Sequence, residues 1–175
     1  MTAARKANCL ARMQLKRRLS YAQGYLELGM LAEAAAELDA VPADFRDAVE
    51  VLALRAAILQ EKHDWPALRV AAGAWARRQP GEASAWIMWA YATRRAESLA
   101  AAEKILLEAE RAHPEEPTIQ FNLGCYACQR GDLKTARQRV DRAIALESHF
   151  ATLAASDPDL APLRDAENAD CPPTA

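Results

Sequence analysis

The residues of this chain best suited to chemistry lie in "FNLGCYACQRGDLKTA", residues 121–136, which carries Cys125 and Cys128 in a CxxC spacing. Such a pair can ligate zinc or shuttle between dithiol and disulfide. Zinc takes four ligands. The other two cysteines, Cys9 and Cys171, lie in the tails, and no His or acid pair follows at metal-ligand spacing. A redox CxxC opens a helix, where the dipole lowers the thiol pKa. This pair falls inside a helical pattern, after Phe121. The spacing therefore argues for two small helix residues, with thiol or metal chemistry at Cys125 and Cys128 as the alternative.

The other candidates are weaker still. His63, His113 and His149 fall in or near turns, about 50 and 36 residues apart, and no serine or cysteine nucleophile has a plausible local partner among them. Arg5, Lys6, Arg12, Lys16, Arg17 and Arg18 precede the first acid, Glu27. Leu10, Met13 and Leu15 are too few to make that leader a membrane face, so a solvated helix is expected. The tryptophans at 65, 75, 86 and 89 recur at helical spacing and read as packing residues, Trp65 against a turn. No catalytic residue, cofactor or metal is expected.

The elements that must hold these residues are helices. Alanine occurs 41 times against 6 glycines, and alanine favours helix over strand. Hydrophobic residues make up 51% and charged residues 26%, enough for a packed core. The net charge of −2 gives no electrostatic case for nucleic acid. No apolar run reaches the length of a bilayer span, and the opening residues lack a secretory h-region. A cytoplasmic protein with reduced thiols is expected.

The helices repeat. Windows of about 34 residues align without a gap at 15–48, 49–82, 83–116 and 117–150. Their eighth positions are all small: Ala22, Ala56, Ala90 and Gly124. Position 20 reads Ala34, Leu68, Ala102 and Ala136, and position 27 reads Val41, Trp75, Ala109 and Ala143. Small residues there let two antiparallel helices approach closely. Asp64, Ser98 and Asp132 suit helix N-caps, and Pro66 a first turn. Leu68 and Trp75 are large for their positions. A one-residue slide of that helix, placing Ala67, Ala71 and Ala74 at the small sites, is expected. Pro42 should end the first window's second helix near Ala40.

In this pattern the chain resembles the tetratricopeptide repeat family. Trp86 stands at the family's tryptophan, Leu123-Gly124 at its Leu-Gly, Tyr25 at its tyrosine, Ala34, Ala102 and Ala136 at its helix-B alanine, and Pro80 and Pro114 at its closing proline. The resemblance covers 15–148. It implies an all-α, right-handed solenoid of antiparallel helix pairs with about four repeats. Residues 1–14 would be a basic leader, 149–167 a capping helix and 168–175 a frayed tail. "DPDLAPLRD" and "WAYATRR" resemble stretches of bacterial repeat proteins.

The resemblance further implies a concave groove lined by positions 2, 5, 9, 12 and 13 of each repeat. In the first window these are Lys16, Leu19, Gln23, Leu26 and Glu27, and in the second Glu50, Ala53, Ala57, Gln60 and Glu61. The third offers Ser84, Ile87, Tyr91, Arg94 and Arg95, the fourth Thr118, Phe121, Cys125, Cys128 and Gln129. The expected function is a protein-interaction scaffold gripping a peptide or protein partner, as a monomer or weak homodimer, with Tyr91 and Phe121 as anchors and Arg94 or Arg95 meeting a carboxylate. Leu19, Gln23, Ile87 and Tyr91 stand where one subfamily carries its carboxylate clamp, so that clamp is absent. The rival functions are a secretion chaperone built on such repeats and the thiol or metal protein.

Overall fold

The computed structural model describes residues 3–170, with side chains from 10 to 166. Ten α-helices and two short 3-10 turns make up the described residues, with no strand among them. They fall into two compact units divided between Glu97 and Ser98. The side chains of Arg5, Lys6, Cys9 and Cys171 lie outside the described residues.

The first unit holds α1 (Ala3–Glu27), α2 (Leu31–Asp39), a 3-10 turn (Ala43–Phe45), α3 (Val49–Glu61), α4 (Trp65–Arg78) and α5 (Ala83–Ala96). The basic leader is no separate element: α1 runs unbroken for 25 residues. Consecutive helices pack as hairpins around small residues. Ala22 and Ala34 are fully buried with Leu38, Leu54 and Ile58, and Leu19, Tyr25 and Leu26 close the cluster. Ala56, Leu68, Ala71, Ala72 and Ala92 form a second cluster, walled by Trp65, Trp75, Met88 and Trp89.

The expected slide of the second window's helix B does not occur. Helices α2 and α4 open at Leu31 and Trp65, one full repeat apart, and Leu68 is fully buried at the position that Ala34 holds in α2. Ala67 and Ala74 are only half-buried. The larger leucine fits because Ala56, Ala72 and Ala92 surround it. Close approach depends on the summed volume at a crossing, and three alanines leave room for one leucine.

Three of the inter-helix turns share one geometry. Gly29, His63 and Gly131 all have positive φ, at 71°, 54° and 82°. In each turn the following N–H reaches back across the end of the helix: Met30 N to Tyr25 O (2.8 Å), Asp64 N to Leu59 O (3.0 Å) and Asp132 N to Ala127 O (3.0 Å). That is the Schellman closure, which uses a left-handed residue to satisfy the last carbonyls of a helix. Side chains cap the starts of the second helices of the last three pairs, while that of the first pair, opening after Met30, has no side-chain cap. Asp64, Ser98 and Asp132 accept from Ala67, Ala101 and Thr135 N–H respectively.

The second unit holds α6 (Leu99–Ala112), α7 (Pro117–Gln129), α8 (Leu133–Leu146), α9 (Phe150–Ser156), a 3-10 turn (Pro158–Leu160) and α10 (Ala161–Asp170). Gly124 makes the α7–α8 crossing: a Cβ there would lie 2.9 Å from Val140 Cγ2 and 3.3 Å from Ala136 O. Only hydrogen fits. One polar network spans the three helices. Arg139 forms a two-pronged ion pair with Glu110, donates to Gln120 Oε1 at 2.7 Å, and Gln120 Nε2 donates to Glu110 at 2.9 Å. The hydrogen bond from Arg139 holds the Glu110 carboxyl below its ordinary pKa, against the upward push of burial.

The expected single capping helix is instead two short helices broken by the 3-10 turn. Pro158 removes an N–H, and Asp157 caps the turn by accepting from Asp159 N at 2.8 Å. Arg164 Nη1 donates to both Ala154 O and Asp157 O at 2.8 Å, pinning the bend. Helix α10 continues to Asp170, and residues 171–175 of the expected frayed tail lie outside the described residues.

Candidate functional site

In the first unit, the first helices of the repeats leave open clefts. Leu19 and Gln23 of α1 and Glu50, Ala53, Leu54 and Ala57 of α3 line one of about 390 Å³. Leu26, Ala57, Gln60 and Glu61 line a second of about 240 Å³. The clefts exist because Ala53 and Ala57 end at Cβ, where a larger side chain would fill the space between α1 and α3. The first cleft is apolar and the second mixed, and each has one carboxylate in its lining, Glu50 in the first and Glu61 in the second.

The same unit carries an aromatic–cation stack. Trp65 opens α4, and Tyr91 and Arg95 lie one turn apart on α5. The Tyr91 ring meets the Trp65 ring edge-on, with centroids 5.6 Å apart and planes at 81°. The Arg95 guanidinium sits 5.3 Å from the Trp65 centroid and 4.9 Å from that of Tyr91. His63 extends the stack from the preceding turn, 5.1 Å from Trp65. Arg95 is exposed, and a guanidinium beside aromatic rings can still offer N–H groups to a planar anion. Tyr91 is 37% exposed, so the stack is open to solvent. Ile87 and Arg94 are half-buried on the same helix.

In the second unit the equivalent helix is covered. Phe121, Cys125 and Cys128 on α7 are buried, the thiols only 3% and 2% exposed. The cover is the chain's own segment 150–163. The Phe150 ring lies 5.1 Å from that of Phe121. Asp157 Oδ2 lies 4.0 Å from Cys125 Sγ. Gln129 Nε2 donates to Asp159 O at 2.9 Å, and Leu160 and Leu163 are buried. Burial pushes the Cys128 thiol pKa up, partly offset by a hydrogen bond with the Leu163 backbone.

The CxxC pair does not converge on one ligand. Cys125 meets Asp157, whereas Cys128 meets Leu163. Neither thiol is in a disulfide. The ligand-type atoms that come within 4.8 Å of one another are those of Cys125, Asp157 and Asp159, a set that omits Cys128. The histidines at 63 and 149 take structural places. His149 Nδ1 pairs with Glu147 at 3.0 Å and its ring lies 4.3 Å from that of Phe150.

Sequence spacing placed the expected groove positions on first helices and gave no sign of the strap over α7. Phe150, Leu160 and Leu163 reach α7 from roughly 30 residues downstream, outside any groove position of the repeat. The one local sign was Asp157-Pro158, which marks a bend without saying where the chain goes next.

No protein-family model matches the chain, and no curated protein matches it by sequence. Solved structures do resemble it. MamA 41-end from Desulfovibrio magneticus RS-1 is 19% identical with a TM-score of 0.68, covering 81% of this chain and 77% of its own. The MamA RS-1 ArsTM double mutant is 20% identical with the same TM-score, covering 76% and 75%. TTC0263, a thermophilic TPR protein in Thermus thermophilus, is 19% identical with a TM-score of 0.62, covering 89% and 88%. With the repeat geometry above, they establish the fold: an α-solenoid of the tetratricopeptide-repeat type. Among the described residues, no helix is long and apolar enough to cross a membrane.

Proposed function

We propose that this chain is a protein-interaction scaffold, and that the first-helix face of its first unit takes a peptide segment of a partner protein. The observation carrying this reading is the pairing, within one unit, of open clefts, the larger of them apolar, with the Trp65–Tyr91–Arg95 cluster, whose Tyr91 and Arg95 are exposed. An aromatic anchor beside an arginine that loses its water on binding is the usual make-up of a binding hot spot. The chemistry defines the ligand. An apolar side chain fills the alanine-lined cleft, a basic group suits Glu50 and Glu61, and a carboxylate meets the edge of Arg95. In the second unit, Phe121, Cys125 and Cys128 belong to the corresponding face but lie under the strap, and Gln129 is exposed beside it, bonded to Asp159 O.

The test is titration of a partner, first isolated by pull-down, against three variants. Tyr91→Ala should weaken binding by about 1–3 kcal/mol, and Arg95→Glu by at least as much, through repulsion of the carboxylate. Arg78, on α4, donates to Asp47 O at 3.3 Å away from the stack, so Arg78→Glu should leave binding unchanged. Normal binding by the Tyr91 and Arg95 variants, with loss in Arg78→Glu, would move the interface to the second helices. Two rivals are decided alongside: stoichiometric zinc in purified protein would favour the thiol or metal reading, and a tight dimer gripping a secreted segment would favour a secretion chaperone.

A further inference from the structure

Helix α7 is buried on nearly every side, although its sequence reads as a groove-lining first helix. All residues from Ile119 to Cys128 except Asn122 are buried. Its α8 side is closed by the Gly124 crossing. What closes the face carrying Phe121, Cys125 and Cys128 is the segment from Phe150 to Leu163, which contributes an aromatic ring, a carboxylate and two leucines. That composition is what a foreign peptide would offer a groove.

The strap has few anchors on the helix it covers. Helices of seven and ten residues are too short to be stable alone. Within the segment only Phe150, Leu160 and Leu163 are buried, while Ala151, Thr152, Leu153, Ala155 and Ser156 face solvent. The bend is braced from within, by Arg164 on Ala154 O and Asp157 O. Few buried contacts mark a segment that opens before the rest of its unit. The α7–α8 pair, interlocked at Gly124 and Val140, belongs to the more stable part.

We propose that residues 150–164 are a tethered ligand of α7: they occupy the face bearing Phe121, Cys125, Cys128 and Gln129, and their release opens it to an external segment of like chemistry, an aromatic side chain followed by an acidic proline turn and a leucine. The two thiols are its reporters, because neither can meet a reagent while the strap is down. The inference is independent of the first unit's clefts, and its test uses no partner protein.

The experiment uses the full chain in a Cys9→Ser, Cys171→Ser background. Alkylation of Cys125 and Cys128 by iodoacetamide is followed by peptide mass at fixed pH without denaturant. Leu160→Ala, which removes one strap anchor, should speed alkylation of both thiols about tenfold or more. Val140→Ala weakens the α7–α8 contact instead and should change the rates by no more than about twofold. A synthetic peptide of residues 149–166, added to the Leu160→Ala chain, should slow alkylation back toward the parent rate. Equal acceleration in the two variants would show that the thiols open only by unfolding of the whole unit, and would overturn the proposal. So would Leu160→Ala rates equal to the parent's, or protection that saturating peptide fails to restore.

Discussion

Ala57 and Cys125 hold the same position in the repeat, two steps apart, and meet opposite surroundings. Ala57 lines two open clefts of the first unit. Cys125 is buried under Asp157 and the rest of the strap. The local helices are alike: α3 and α7 each run thirteen residues, open one residue after an extended N-cap and end in a Schellman turn. A repeat therefore fixes the direction in which a side chain leaves its helix but not what it meets. In the first unit that side chain meets solvent, and in the second it meets the chain's own C-terminal segment.

The sharpest way to break this comparison is to add the same bulk at both places. Cys125→Leu forces a larger side chain beneath the strap and should destabilise the protein by about 1–3 kcal/mol through overpacking. Ala57→Leu adds its bulk to an open cleft, should change stability by no more than about 0.5 kcal/mol, and should block the partner. Denaturant unfolding measures the first pair of values. If the two substitutions cost the same, either the clefts in the first unit are filled or the strap does not cover α7.

The units also differ in how they tie each closing proline to the next first helix. In the first, Trp86 Nε1 donates to Pro80 O at 3.0 Å. One repeat later, Gln120 Nε2 approaches Pro114 O at 3.5 Å, and its amide joins the Glu110–Arg139 pair. An apolar ring with one donor is thus replaced by a charged network, and only the second unit gains a pH dependence from this position. Glu110 has its pKa lowered in the folded protein. Its contribution is therefore complete above the ordinary glutamate value of 4.5 and is lost as pH falls through the lower, folded value. Glu110→Gln exchanges a charged hydrogen bond for a neutral one, a loss of about 1 kcal/mol near neutrality. The gap between parent and variant should stay constant above about pH 5 and close on acidification below about pH 4.5. A gap that widens in acid would mean the carboxyl is held protonated, contrary to this geometry.

Much of this was legible in the residues and some was not. The small residues at the eighth and twentieth positions fix the hairpin crossings, and Asp64, Ser98 and Asp132 mark helix starts through chemistry that needs no tertiary context. Leu68 misled because a residue's fit depends on its partners, and Ala56 and Ala92 are distant in sequence. The burial of Cys125 and Cys128 was invisible for a related reason. Periodicity places both on one helix face, but the cover comes from a segment with no repeat pattern. The Trp65–Tyr91–Arg95 stack was half visible: Tyr91 and Arg95 share a face at i, i+4, while Trp65 joins them only through the turn at His63.

That turn gives the smallest and most pointed contrast. Gly131 closes the second unit's α7–α8 turn with a left-handed backbone that glycine adopts freely. His63 holds the equivalent place in the first unit at φ 54°, where a side chain carries a conformational cost of about 1 kcal/mol. In return its ring lies against Trp65, at the start of the stack that ends in Arg95. His63→Gly should relieve the backbone and lose the ring contact, two terms of similar size and opposite sign, so stability should move by no more than about 0.5 kcal/mol. Gly131→Ala has no ring contact to gain and should cost about 1 kcal/mol. The informative readout is partner affinity: His63→Gly should weaken it by loosening Trp65 under Arg95, whereas Gly131→Ala should leave it unchanged. If His63→Gly stabilises the chain by about a full kcal/mol with no loss of affinity, the histidine is a tolerated turn residue, and the stack begins at Trp65.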